Sequence, residues 1–261
     1  MARVLLLRGM LAGLIAGVLA FGFARVFGEP AVGTAISFDY QRAAAAGTPY
    51  TMELVSRDIQ GTLGLLAAVV VYGVALGGLF ALVFTVVYGR VREASPARTA
   101  VWLGAGAFTV VYLVPFLKYP ANPPAVGRPE TIGTRTALYL AMLAISLVGA
   151  VYALWLSRRL EARLGGGGAT LAAMGMYLVV VLAGGLLLPG VNEVPTGFPA
   201  VTLWDFRIAS IGIQAITWTA IGLLFGFMAS RAMGGENVRQ AAAPISTGES
   251  RTKPPFVPEK R

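Results

Sequence analysis

The chain has 261 residues, of which 56% are apolar and only 13% charged, with a mean hydropathy of +0.72. An ordinary water-soluble domain is roughly 25% charged, so this composition excludes one and places the chain in a membrane. Its 21 Lys and Arg against 12 Asp and Glu sit between apolar runs rather than on one face, which excludes a nucleic-acid binder and reads as a topology signal. With no Cys and no His, disulfides, thiolate metal sites and the commonest general base are also absent, so no enzyme is expected. There is no GxxxxGK[ST] run for binding ATP phosphates.

About 20 apolar residues cross a hydrocarbon core of about 30 Å. Six uncharged gaps meet that length: 16 residues between Arg8 and Arg25, 31 between Asp58 and Arg90, 19 between Arg98 and Lys118, 22 between Arg135 and Arg158, 29 between Arg163 and Glu193, and 23 between Arg207 and Arg231. They predict an all-α polytopic protein with six transmembrane helices at about 5–27, 62–88, 99–117, 136–157, 169–189 and 208–230. The first gap is short, and Leu5, Leu6 and Leu7 lengthen it if Arg8 snorkels. The same stretch also fits a secretory signal, but it lacks a clear Ala-x-Ala and is read as a retained helix. Gly13 with Gly17, and Gly73 with Gly77, have the small-xxx-small spacing that lets membrane helices approach closely.

Placing both termini in the cytoplasm puts a net charge of +9 on the inner segments and zero on the outer ones, as the positive-inside rule requires. Residues 1–233 then form the membrane domain. Residues 234–261, rich in Gly, Pro, Ser, Thr and charge, are expected to be a disordered cytoplasmic tail.

The unusual polar residues collect in the outer loops. The first opens on Glu29-Pro30, where the proline biases Glu29 toward an extended backbone at the helix end. The second runs from Pro115 through Lys118, Pro120, Asn122, Pro123 and Pro124, a stiff segment whose free carbonyls need partners. The third carries Asn192, Glu193 and Pro195 and leads to Asp205 and Arg207. Glu29, Asn122, Asn192 and Glu193, with Glu130 and Asp205 nearby, are candidates for an oxygen-rich mouth suited to a partly hydrated divalent cation. Pro30, Lys118, Pro120, Pro123, Pro124, Asp205 and Arg207 would support it. The alternative is that these acids are solvated or paired with Lys118, Arg128, Arg135 or Arg207, and that the loops are connectors. Inside the spans almost nothing is ionisable, and Gln214 is read first as a helix-to-helix hydrogen-bonding residue.

Several strings resemble the CbtA family of predicted bacterial cobalt-transporter subunits over roughly Leu6 to Ser230. They are Gly28-Glu29-Pro30; Tyr72 to Phe80; Val114-Pro115-Phe116-Leu117-Lys118-Tyr119-Pro120-Ala121-Asn122-Pro123-Pro124; Thr131-Ile132-Gly133; Asn192-Glu193-Val194-Pro195; and Gly197-Phe198-Pro199. The resemblance implies cobalt uptake linked to cobalamin supply, in a bacterial inner membrane, beside a small single-helix, His-bearing partner called CbtB. Family members commonly carry His after the first helix, and Phe38 to Arg57 has none. Cobalt favours some imidazole nitrogen, so either Glu29, Glu193 and Asn122 suffice, a partner supplies His, or the substrate differs.

The expected function is therefore a membrane permease, or permease subunit, for a divalent metal ion, cobalt by resemblance, with no bound cofactor. Alternatives are a membrane subunit that binds cobalamin or a precursor for a separate energising module, and a non-transporting scaffold.

Overall fold

A computed structural model of the chain describes residues 2–48, 55–90 and 94–241, the stretch 235–241 as backbone only. Among the described residues every regular element is helical. In chain order these are α1 (Ala2–Phe23), α2 (Glu29–Ala45), the single turn α3 (Arg57–Ile59), α4 (Leu65–Val87), α5 (Pro96–Ala107), the short α6 (Val114–Lys118), α7 (Ile132–Leu187) and α8 (Ala200–Ala241). Wide π turns join α1 to α2 (Ala24–Gly28), α3 to α4 (Gln60–Gly64) and α5 to α6 (Phe108–Leu113).

Five helical stretches are long and apolar enough to cross a membrane: Ala2–Ala45, Arg57–Val87, Pro96–Lys118, Pro129–Leu187 and Ala200–Gly234. The fourth is bent double. Gly165 has φ 69° and ψ 168°, the one non-helical conformation inside α7, and it falls in a run of four glycines. The arms on either side fold back on each other, since the Ser146 hydroxyl lies 2.8 Å from that of Tyr177. An unbroken helix would separate those residues by roughly 46 Å. The predicted spans at 136–157 and 169–189 are the two arms of this hairpin.

One sequence expectation needs correction. Pro30 does not end the first helix. Glu29 is helical (φ −60°, ψ −38°), its N–H bonds back to Ala24 across the wide turn, and the chain continues helical to Ala45. A proline ring collides with the carbonyl of an ordinary preceding turn, and a π turn opens the coil enough to admit it. The last helix runs past residue 234 to Ala241, while 242–261 of the expected tail lie outside the described residues.

Glycine decides which helices pair. Any Cβ on Gly9, Gly13 or Gly17 of α1 would run into the backbone of α4 at Gly77, Gly73 and Val69 respectively, so the two helices lie antiparallel with backbone against backbone. Gly104 of α5 meets Trp218 and Gly222 of α8 in the same way, and Gly226 meets Ala97 and Ala100. The pairs join through α1 and α8, where Phe23 packs on Gly212 and Arg8 donates to the carbonyl of Met228. The resulting core is small and tight, built from Ala12, Ala16, Phe80, Phe84, Ala100, Ile221 and Phe225. Large apolar side chains point outward instead, Leu186 and Leu187 being 86% and 85% exposed. A protein in water buries such residues; one in lipid has no reason to.

Gly13→Val should therefore separate α1 from α4. The overlap is with a carbonyl, so the loss should exceed the about 1–3 kcal/mol usual for an overpacked core. Gly33→Ala, where a Cβ meets nothing within 4 Å, should be neutral or slightly stabilising. Melting of both variants in detergent, followed by the monodisperse fraction on gel filtration, checks the pair.

Candidate functional site at the proline-rich end

The antiparallel pairing sends the loops 119–131 and 188–199, together with α2, to one end of the bundle. Here α2 lies over both loops. Ala35 and Phe38 pack against Val126 of the second loop, Phe198 of the third and Leu203 at the start of α8, and the rings of Phe38 and Phe198 meet edge to face at 5.1 Å. The sequence reading missed this lid, because Asp39, Gln41 and Arg42 make 29–45 look like a polar connector.

Beside the lid the two loops are tied together by hydrogen bonds. Glu193 Oε2 accepts from the backbone N–H of Arg128 at 2.8 Å and from the Thr131 hydroxyl at 2.8 Å, with Arg135 Nε at 3.6 Å as a looser ion pair. The Arg128 N–H, then the Thr131 hydroxyl, hold the Glu193 carboxyl below the usual carboxylate range; slight burial opposes them, and the charges of Arg135 and Arg128 add to them. The Tyr119 hydroxyl donates to the Pro189 carbonyl at 2.8 Å. Gly127 has φ 116°, and a Cβ there would strike the Arg135 guanidinium, so the position requires glycine on both counts.

The other predicted residues are also engaged. Arg207 Nη2 donates to Asn122 Oδ1 at 3.0 Å and its Nε to the Ala121 carbonyl at 3.4 Å. Glu29 is paired with Arg57, and Gly61 leaves the room that the Glu29 carboxylate fills. Pro123 and Pro124 open a tight turn closed from the Val126 N–H to the Pro123 carbonyl at 3.2 Å. Ala125 takes φ 67° there, where glycine is the ordinary occupant. Asn192 and Asp205 are exposed. Lys118 does not make the pairing that the alternative reading offered it: its Nζ lies 5.7 Å from the centroid of the Tyr119 ring, and no ion pair with Glu29, Glu193 or Asp205 is present among the described residues. Among those residues no group of three or more His, Cys, Asp or Glu gathers.

The structure therefore joins Glu193 and Asn122 to the second loop and α8 through arginines. Glu29 sits at the α2–α3 junction, next to Gly28, which faces Ala209 and Ile213 of α8. The pairings with Arg57 and Arg135 link residues far apart in sequence, and no local pattern announces them.

An all-helical, lipid-facing bundle with ion-paired polar groups gathered at one end is the build of a multi-pass membrane transport subunit. The chain belongs to the CbtA family, described as a probable cobalt transporter subunit, whose model matches residues 2–230. No curated protein and no solved structure matches it.

The depressed carboxyl of Glu193 gives a signed pH dependence. A carboxyl whose folded pKa lies below its unfolded value, about 4.3 for Glu, stabilises the fold above that value and loses the contribution as pH falls through the lower folded one. Hydrogen exchange at the Arg128 amide should stay equally protected at neutral and mildly acid pH and lose protection only once the pH has fallen below the ordinary carboxyl value. In Glu193→Leu the protection should be lost at every pH.

Proposed function

We propose that the protein is a six-span permease subunit of a bacterial inner membrane that carries a divalent cation, cobalt by family, with both termini cytoplasmic and a role in cobalamin supply. The observation that carries this reading is the gathering, at one end of the bundle, of two proline-rich loops joined through Glu193 and of carboxylate and amide oxygens that each face an arginine. Glu29 with Arg57, Glu193 with Arg135 and Asn122 with Arg207 are pairs in which a metal ion can take the arginine's place. A guanidinium and a hydrated dication both seek carboxylate oxygen. Arginine thus occupies Glu29 and Asn122 and balances the charge of Glu193, whose hydrogen bonds come from the Arg128 N–H and the Thr131 hydroxyl, until the ion arrives, and the displaced charges speed release by repulsion. A His-bearing single-helix partner of the CbtB kind would supply the imidazole that this chain lacks.

Two findings support the six-span orientation: the hairpin at Gly165 turns the fourth stretch into two crossings, and the antiparallel contacts alternate the direction of successive helices. A vitamin-binding subunit needs an aromatic cavity near the loops. A groove of about 470 Å³ lined by Leu147, Val148, Val151, Tyr152 and Trp155 lies on the first arm of α7, with Trp155 roughly 30 Å along the helix from Arg135.

In intact cells a single Cys at position 122 or at the exposed position 196 should react with an impermeant thiol reagent; labelling only after lysis reverses the orientation. Cells with and without the gene should differ in uptake when offered Co, Ni, Mg and Zn in turn. Glu29→Gln with Glu193→Gln should lower that uptake several-fold at unchanged expression, and full uptake in the double variant removes the mouth from the pathway.

A further inference from the structure

Below the loop layer, buried hydroxyls such as Ser146 and Thr217 are hydrogen-bonded, and one polar group differs. Tyr72 of α4, Tyr112 in the π turn after α5, Tyr139 of α7 and Gln214 of α8 come from four different stretches of helix; the last three are half-buried, and Tyr72, 47% exposed, forms the open side of the group. Gln214 Nε2 donates to the Tyr72 hydroxyl at 3.3 Å. Tyr112 is within electrostatic reach of both Tyr139 and Tyr72, and Tyr139 of Tyr72. Two of the oxygens in this group, Tyr112 Oη and Gln214 Oε1, are shut off from solvent and have no hydrogen-bond partner among the described residues. One helical turn past Gln214, the indole N–H of Trp218 is in the same condition.

A buried polar atom without a partner costs about 1–3 kcal/mol, and in lipid no water comes to its aid. Helix-to-helix adhesion does not account for these atoms, because adhesion needs the bond to be made. The nearby Ser146 shows what adhesion looks like. Its hydroxyl donates to the Val110 carbonyl at 2.7 Å and accepts from Tyr177 at 2.8 Å, leaving nothing unmet. Depth supplies the second argument. Gln214 lies roughly 10 Å below Arg207 along its helix, Tyr112 roughly 9 Å below Lys118, Tyr139 roughly 6 Å below Arg135 and Tyr72 roughly 16 Å below Gly61. All four therefore lie roughly 6–16 Å beneath the loops that carry Glu193, Asn122 and Glu29, and the Gln214–Tyr72 hydrogen bond brings the two deeper positions together.

We propose that Tyr72, Tyr112, Tyr139 and Gln214 form an intramembrane station for a hydrated divalent cation, held by hydrogen bonds from its coordinated waters to their neutral oxygens. The station rests on the permease reading and extends it inward. Neutral hydroxyl and amide oxygens suit an ion that keeps part of its water shell. They hold it weakly enough to let it leave, as conduction requires. Carboxylates at that depth would bind it too firmly and would be costly to bury empty.

The test uses Tyr112→Phe and Gln214→Met in the full-length chain, with Co uptake and melting temperature measured together. Tyr112→Phe removes only an oxygen that bonds to nothing, so a purely structural role predicts unchanged uptake and equal or higher stability. A station predicts uptake reduced at least several-fold at an unchanged or raised melting temperature. Full uptake in both variants overturns the proposal. In parallel, Gln214→Cys, in a chain that has no other Cys, should react with a small hydrophilic thiol reagent in energised membranes and be slowed by added Co; no reaction there overturns the station as well. If wild type imports none of the four ions the permease reading fails, and the reactivity of position 214 alone then decides whether this depth is reached by water.

Discussion

Backbone contact between glycine-bearing helices is the constraint from which the rest of this structure follows. Lipid tails are as apolar as leucine, so no hydrophobic force presses the helices together, and pairing depends on close van der Waals approach. Gly9, Gly13 and Gly17 supply it between α1 and α4, and Gly104, Gly222 and Gly226 between α5 and α8. These seams fix which helices are neighbours and that neighbours run in opposite directions. Everything at the loop end, including the meeting of residues 128, 131, 135 and 193, depends on that geometry.

Proline imposes the second condition. Pro30 and Pro115 both lie inside continuous helix, each just after a wide turn. At Pro115 the missing N–H would have served the Val110 carbonyl, five residues back in a π turn. Ser146 of α7 supplies the proton instead. A defect in one helix thus becomes the anchor point for the hairpin, which otherwise presents mainly lipid-facing leucine and valine. At Pro30 the consequence is reach: the helix continues beyond the length needed to cross a bilayer and folds its apolar side, Ala35 and Phe38, over the two proline-rich loops.

Much of this was legible in the sequence, and the remainder was hidden for definable reasons. Charge spacing located the long apolar helices, and four-residue glycine spacing the pairs at 13/17 and 73/77, because the thickness of lipid and the period of a helix both act locally. The same reasoning singled out Glu29, Asn122 and Glu193. It offered Arg128, Arg135 and Arg207 only as alternative partners and did not give Arg57 or Thr131, which meet Glu29 and Glu193 only through tertiary packing. The helical course of 29–45 was hidden because the rule that proline ends a helix ignores the π turn that accommodates it. The tyrosine group around Gln214 was hidden because tyrosine is counted with the apolar residues in the composition. Its hydroxyl becomes a signal only when four stretches of helix bring such groups together.

The reversal at Gly165 acts as a phase setting for the second arm of α7. A single residue in a left-handed conformation joins two helices whose faces must agree, since Ser146 has to meet Tyr177 and Ile145 has to meet Gly184. Each residue added to or removed from an α-helix turns everything beyond it by about 100°. The glycine run 165–168 therefore tolerates a change of side chain far better than a change of length. A deletion of one residue between Arg163 and Ala169 would leave the composition, hydropathy and span count of the chain almost unaltered, yet rotate Tyr177 toward lipid and strand the Ser146 oxygen that secures the kinked helix.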